Sequence, residues 1–240
     1  MPGLIWLIAA IATAGIVRGF SGFGTALVFV PVAGMFLPPQ VIIGVITLTG
    51  VASNAALLPR AWRQADRAEI ARLALPALIT IPIGIWLIDQ LDPVSIRWLV
   101  AGIATVTLTA LISGWRLTGE VNKLGLSLIG AMSGIIGGLT GLTGPMVILF
   151  YLAGQRAAQS IRANTILFLA ILDVVVVSNL LLQGSVDISM IWLALTLAVP
   201  YFITSLIGQA LFKPGLERFY RLIAYAIIAL AVLSGLPIWE

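Results

Sequence analysis

The chain contains no cysteine and no histidine. Those two absences remove disulfides, thiolate and imidazole metal sites, c-type haem attachment and the serine–histidine pair of an intramembrane protease. Charge is the next scarcity. Only 9% of the 240 residues are Asp, Glu, Lys or Arg, while 60% are hydrophobic; a soluble domain carries charge on roughly a quarter of its residues. With a mean hydropathy of +1.13, the composition belongs in a bilayer, and the expected class is an all-α polytopic membrane protein. No G-x-x-x-x-G-K-[ST] loop occurs, so a nucleotide-driven pump would need its ATPase on a separate chain. A leader pattern is missing too: Met1-Pro2-Gly3 runs into Leu4–Val17 without a basic stretch, and this first segment is expected to belong to the mature protein.

What is present is hydrocarbon of spanning length. Six apolar segments, near Gln40–Pro59, Ile70–Gln90, Val94–Trp115, Ala163–Leu182, Ser189–Leu211 and Phe219–Trp239, each approach the roughly 20 residues that a helix needs to cross a membrane. Four others, Leu4–Val17, Thr25–Leu37, Leu124–Ile136 and Thr143–Ala153, are too short. They form two pairs, each flanking a glycine-rich break. Segments of that length reach only about 14–21 Å, so half-helices or re-entrant hairpins are expected there. Irregular backbone at membrane depth requires protein or a wet cavity around it.

The two breaks are related. A shift of 119 lays Gly15, Gly19, Gly22, Val28, Gln40, Ile42 and Leu48 on Gly134, Gly138, Gly141, Val147, Gln159, Ile161 and Leu167, with Ser21 on Thr140. Further along, a shift of 121 places Pro93, Arg97, Ala110, Ser113 and Gly114 on Pro214, Arg218, Ala231, Ser234 and Gly235. The reading is a duplication, residues 1–118 and 119–240. Each unit holds five segments, an odd number, so the second copy enters the membrane from the opposite side, the inverted-repeat plan of many secondary transporters.

Charge supplies an orientation. Arg60, Arg63, Arg67, Arg72, Arg116, Lys123, Arg156, Arg162, Lys213, Arg218 and Arg221 fall on one side; Asp89, Asp92, Asp187 and Glu240 fall on the other. The positive-inside rule then puts both termini outside the cytoplasmic membrane. Arg97 is the one exception, with Asp92 five residues before it as its expected partner.

Gly19–Pro31, G-F-S-G-F-G-T-A-L-V-F-V-P, and Gly137–Tyr151, G-G-L-T-G-L-T-G-P-M-V-I-L-F-Y, resemble the paired glycine-rich signatures of the TauE/SafE family of sulfite exporters. The W-R-Q-A-D-R loop of Trp62–Arg67 fits that family's basic central loop. The resemblance covers nearly the whole chain and implies a transporter of sulfite, sulfonates or related small anions. One departure stands in the first break, G-F-G-T-A, where many members carry consecutive glycines.

An anion is also what the residues themselves suit. Helix starts at Thr25 and Pro145 aim unpaired amides and the positive dipole end into a cavity, and Pro145 suits a first helical position. Ser21, Thr25, Thr140 and Thr143 offer hydroxyls, Gly19, Gly22, Gly24, Gly138, Gly141 and Gly144 bring backbone close to a ligand, and Arg18 supplies a forked cation. Each has a plainer alternative: glycines pack helices, as the small-xxx-small spacing of Gly130, Gly134 and Gly138 suggests, hydroxyls bond their own helix, and Arg18 snorkels.

Asp173 is the single carboxylate deep in a predicted span, and at the 119 shift it falls on Asn54. A lone acid there faces a cavity or a partner and is a candidate proton-coupling group, or else interhelical glue. Asn164 and Asn179 are weaker candidates, Asn179 as an alternative partner of Asn54. An aspartyl protease needs two deep acids, so no enzyme is expected, nor a cofactor, metal or nucleic-acid partner. The expectation is a secondary transporter working by alternating access, coupled to H⁺ or Na⁺. The alternatives are a passive anion channel and the membrane subunit of a larger transport complex.

Overall fold

The computed structural model describes residues 3–21, 23–55, 58–114, 121–153, 158–211 and 217–238. Within them every regular element is an α-helix. In chain order these are α1 (Leu4–Ser21), α2 (Thr25–Ala33), α3 (Pro39–Ala55), α4 (Leu58–Gln64), α5 (Arg67–Ile88), α6 (Pro93–Ser113), α7 (Lys123–Thr140), α8 (Pro145–Ala153), α9 (Ala158–Leu182), α10 (Ile188–Leu211) and α11 (Glu217–Gly235). Of the charges assigned to sides above, Arg116, Arg156, Lys213 and Glu240 lie outside the described residues.

Among the described residues five helices are long and apolar enough to cross a membrane: Arg67–Ile88, Pro93–Ser113, Lys123–Thr140, Ala163–Leu182 and Ile188–Leu211. This makes the chain a multi-pass membrane protein. One expectation is corrected here. The expected short segments Leu4–Val17 and Leu124–Ile136 are helices of 18 residues, about 27 Å long, because helix continues through the first glycines of each break. The glycines there pack against neighbouring helices, which offsets their poor helical propensity. In the expected span Gln40–Pro59, α3 runs to Ala55 and α4 begins at Leu58, with residues 56 and 57 outside the described ones.

Polar residues at the helix starts satisfy free amides. Asp66 Oδ1 accepts from Ala68 and Glu69 N at 3.1 Å, Asp92 Oδ2 from Ser95 N at 2.9 Å, Asn122 Oδ1 from Gly125 N at 2.8 Å and Asp187 Oδ1 from Met190 N at 2.8 Å. The Ser95 hydroxyl also donates to Asp92 Oδ1, and these bonds hold the Asp92 carboxyl below its usual range. Asp92 thus caps α6. Arg97 Nη2 donates to Gly235 O at 3.3 Å.

The closest packing pairs helices distant in sequence: α1 lies against α10, and α7 against α5. Glycine makes both contacts possible. A Cβ on Gly15 would lie 2.8 Å from Tyr201 O, and one on Gly19 would lie 2.4 Å from Ser205 O and 2.7 Å from Gly208 Cα. On the other pair, a Cβ on Gly134 would lie 2.7 Å from Ala77 O, and one on Gly138 would lie 2.5 Å from Ile81 O and 3.2 Å from Gly84 Cα. Backbone stands on backbone, so no side chain can move aside. The facing helices carry their own repeated pattern, Pro76, Thr80 and Gly84 on α5 against Pro200, Thr204 and Gly208 on α10.

The buried apolar side chains form two cores that cross the chain midpoint. One joins α1, α2, α3 and α6 to α10 and α11 through Ile11, Phe29, Val45, Ala104, Leu197 and Ile228. The other joins α5 to α7, α8 and α9 through Leu73, Ile81, Leu126, Val147, Phe168 and Leu172. Gly3 at the start of α1 stands against Phe36 beyond the end of α2, so α1 and α2 form a hairpin whose outer ends meet. Gln40 donates to Asp89 at 3.2 Å at the same end. At the opposite end Arg67 stacks over Trp62, 4.8 Å from the ring centre.

Candidate functional site

At each break one glycine turns the chain through the left-handed region: Gly24 at φ 98° and Gly141 at φ 76°, conformations that cost glycine little. The turns let α2 start at Thr25 and α8 start just beyond Gly144. Both starts open on one cavity. Thr25, Thr143, Gly144 and Pro145 line it together with Arg18, Gly24, Gly141 and Asp173. The first amides of a helix have no partner inside it, and two such starts directed at one space make it favourable for negative charge.

Three side chains form a relay along one wall. Arg18 Nη2 donates to Asn54 Oδ1, and Asn54 Nδ2 donates to Asp173 Oδ2 at 3.0 Å. Asn54 is 1% exposed and Asp173 7%. The two residues matched by the 119 shift therefore touch each other. Gly50 makes the fit possible, since a Cβ there would lie 2.5 Å from Asp173 Oδ2. On the facing wall the Thr25 hydroxyl and the Tyr201 hydroxyl lie 2.9 Å apart.

Not every expected residue joins the cavity. Gly19 and Gly138 are spent on the α1–α10 and α7–α5 contacts. Thr140 lines a neighbouring cavity; its hydroxyl donates to Ile136 O at 2.7 Å and accepts from Leu142 N at 3.2 Å, so it closes the end of α7. Gly22 and the side chain of Ser21 lie outside the described residues. Asn179 donates to Val175 O of its own helix at 2.9 Å. Asn164 sits elsewhere, donating to Glu69 Oε1 at 2.9 Å and accepting from Asp66 N at 2.9 Å.

Sequence reasoning missed Thr47, Thr49, Gly50 and Tyr201, all of which line the cavity. The two threonine hydroxyls donate to Ile43 O at 2.6 Å and Val45 O at 2.8 Å, which stabilises α3 while leaving their oxygens toward the space. Tyr201 had a signal in the sequence: it follows Pro200 of the repeated proline–threonine–glycine pattern, where α5 has Ala77.

The arrangement pairs fixed positive potential with one cation and one carboxyl, without a nucleophile–base pair among the described residues lining it. Against known proteins, the profile of the sulfite exporter TauE/SafE family matches residues 7–234. The chain belongs to the TauE/SafE family. It is accordingly a membrane transporter of a family named for sulfite export. No curated protein and no solved structure matched the chain. Within this TauE/SafE protein the two glycine-rich breaks are the segments that turn at Gly24 and Gly141.

Proposed function

We propose that this TauE/SafE protein is a secondary transporter that moves a small oxyanion, sulfite or an organosulfonate, across the cytoplasmic membrane by alternating access. The observation that carries this reading is the convergence of the α2 and α8 starts and Arg18 on a single cavity. In this mechanism the anion takes the Arg18 fork, the hydroxyls of Thr25 and Thr143, and the amides that begin α2 and α8. Gly24, Gly141 and Gly144 let the backbone approach it. Asp173, tied to Arg18 through Asn54, is the coupling group: a proton gained or lost there changes the charge that Arg18 meets.

The same reading takes residues 1–118 and 119–240 as inverted repeats that interlock. Pairing of α1 with α10 and of α7 with α5 supports it, because each repeat lends its first helix to the other. The hairpin of α1 and α2, with Gly3 beside Phe36, supports a re-entrant first break. Orientation follows the positive-inside rule, with Arg63, Arg67 and Arg72 in the cytoplasm and both termini outside. Cysteines introduced at Ser95 and Ser185 then label from outside and one at Gln64 only after permeabilisation; the reverse pattern rejects this orientation.

Purified protein in proteoliposomes tests the function directly. Sulfite, sulfoacetate, isethionate, thiosulfate and sulfate are offered with imposed pH or Na⁺ gradients. Gradient-driven accumulation of one of the first three is expected. Dissipative flux that no gradient can drive uphill identifies a passive channel, and no flux of any panel member rejects the substrate class.

A further inference from the structure

We propose that Tyr201 is a positioning residue for the anion: its hydroxyl donates to Thr25 Oγ1 and thereby turns the Thr25 proton toward the cavity. The inference rests on the transport reading above, which gives the Thr25 hydroxyl to the anion but leaves Tyr201 without a task. Threonines elsewhere in the chain spend their proton on their own helix. Thr13, Thr47, Thr105, Thr196 and Thr204 each donate to the carbonyl four residues back, a common bond for a hydroxyl within a helix. Thr25 is the first residue of α2, so no carbonyl of its own helix lies behind it. Its hydroxyl meets the Tyr201 hydroxyl instead, at 2.9 Å.

A bond between two hydroxyls has two directions, and the chemistry of the groups favours one. A phenol is a stronger acid than an aliphatic alcohol and so the better donor, while its ring draws density from the oxygen and makes it the poorer acceptor. Tyr201 therefore donates and Thr25 accepts. Both line the cavity with Arg18, and Tyr201 is only 1% exposed, so its phenol has no bulk water as a competing partner. The Thr25 proton is left for an oxygen of the anion, and each bond in such a chain polarises the next. One helix contact sets both donors in place. Gly15, one turn before Arg18 on α1, packs under Tyr201 O, where a Cβ on it would lie 2.8 Å away. The paired α1 and α10 thus carry Arg18 and Tyr201 together: the guanidinium meets the anion directly, the phenol through Thr25.

Raman scattering reports the direction, because the tyrosine ring doublet inverts between a donating and an accepting hydroxyl. The difference between wild-type protein and Tyr201→Phe isolates Tyr201 among the four tyrosines; the difference from Thr25→Val is a second route should the phenylalanine variant fold poorly. The lower-frequency member is expected to be the stronger, as for a donor, and to gain further when isethionate binds. Calorimetry of isethionate binding gives the second reading. Tyr201→Phe is expected to weaken binding about 2–10-fold, the range for one neutral hydrogen bond, and Thr25→Val to weaken it more. The double variant is expected to match Thr25→Val alone, since Tyr201 acts through Thr25, and Thr25→Ser, which keeps the hydroxyl, to keep the dependence on Tyr201. An accepting doublet, a doublet that bound isethionate leaves unmoved, or additive losses in the double variant overturns the proposal. A bond that only fastened α2 to α10 would make Tyr201→Phe, Thr25→Val and the double variant equal, which overturns it too. Wild-type protein that binds no isethionate counts against the function proposed above, while the doublet of the unliganded protein still decides which hydroxyl donates.

Discussion

Before the first break Arg18 stands one turn from the end of α1; at the matching place before the second break α7 has Gly137. The same contrast recurs around the cavity. Thr25 answers to Gly144, Asn54 to Asp173 and, through the proline–threonine–glycine pattern, Tyr201 to Ala77. The positions that pack helices do not differ in this way: Gly15 and Gly134, Gly19 and Gly138, and Gly84 and Gly208 all bring backbone within 3.2 Å of a position where a Cβ would sit. On the duplication proposed above, the shared residues pack helix on helix and the unshared ones supply the polar groups of the cavity. Physics gives a reason for the division. An exactly doubled cavity would set two guanidiniums facing each other in a poorly screened interior, where like charges repel strongly.

The second difference lies in how the short helices are covered. Pro31 of α2 is overlaid by the end of α11, where a Cβ on Gly235 would lie 2.4 Å from Pro31 O. Its counterpart α8 leaves Met146 and Leu149 on an open groove of about 1160 Å³ shared with Trp98, Gly102 and Val106 of α6. Among the described residues α2 is thus covered at Pro31, whereas α8 borders a groove at Met146 and Leu149.

The strongest way to break the comparison is to make the repeats alike at the relay. Asp173→Asn gives α9 the residue that α3 has and keeps a hydrogen-bonding group, but removes the exchangeable proton. Accumulation driven by a pH gradient is expected to vanish while counterflow of labelled substrate persists; an asparagine variant that still concentrates substrate in response to pH removes Asp173 as the coupling group. Next, Arg18→Gln deletes the one cation among the described residues lining the central cavity. Hydrogen bonds to charged groups contribute about 1.5–3 kcal/mol, so substrate affinity measured by calorimetry is expected to fall about 10–100-fold. An unchanged affinity returns Arg18 to a topological role.

The packing side of the comparison predicts equal effects in both halves. Gly19→Ala and Gly138→Ala each force a methyl into a backbone carbonyl and are expected to destabilise by about 1–3 kcal/mol, seen as matched losses in thermal stability of the purified protein. Gly102→Ala, with nothing within 4 Å of the added carbon, is the control and should leave stability unchanged or raise it by up to about 1 kcal/mol, since alanine is the better helix former. A loss confined to one of the first two would show that the repeats are not equivalent supports. The smallest effect belongs to Tyr201→Phe, which removes the partner of Thr25. One neutral hydrogen bond is worth about 0.5–1.5 kcal/mol, and a rise in KM of about 2–10-fold without loss of folded protein is expected.

Membrane residence, the all-helical class, the two breaks and their 119-residue relation were legible from composition and from glycine spacing, because hydrocarbon demands continuous apolar helices and admits irregular backbone only in special places. Asp173 and Asn54 could be singled out for the same reason: polar groups at that depth are conspicuous. Their contact with each other, and the relay to Arg18, could not be read along the chain, since it depends on α1, α3 and α9 meeting at one depth. The glycines show the limit most clearly. Gly19 and Gly24 stand in one motif, yet the first lies under α10 and the second turns the chain at the cavity. A glycine looks the same in sequence whether its missing side chain makes room for a helix or for a ligand; which space it vacates is set by the helix that packs against it, and that is a property of the assembled bundle.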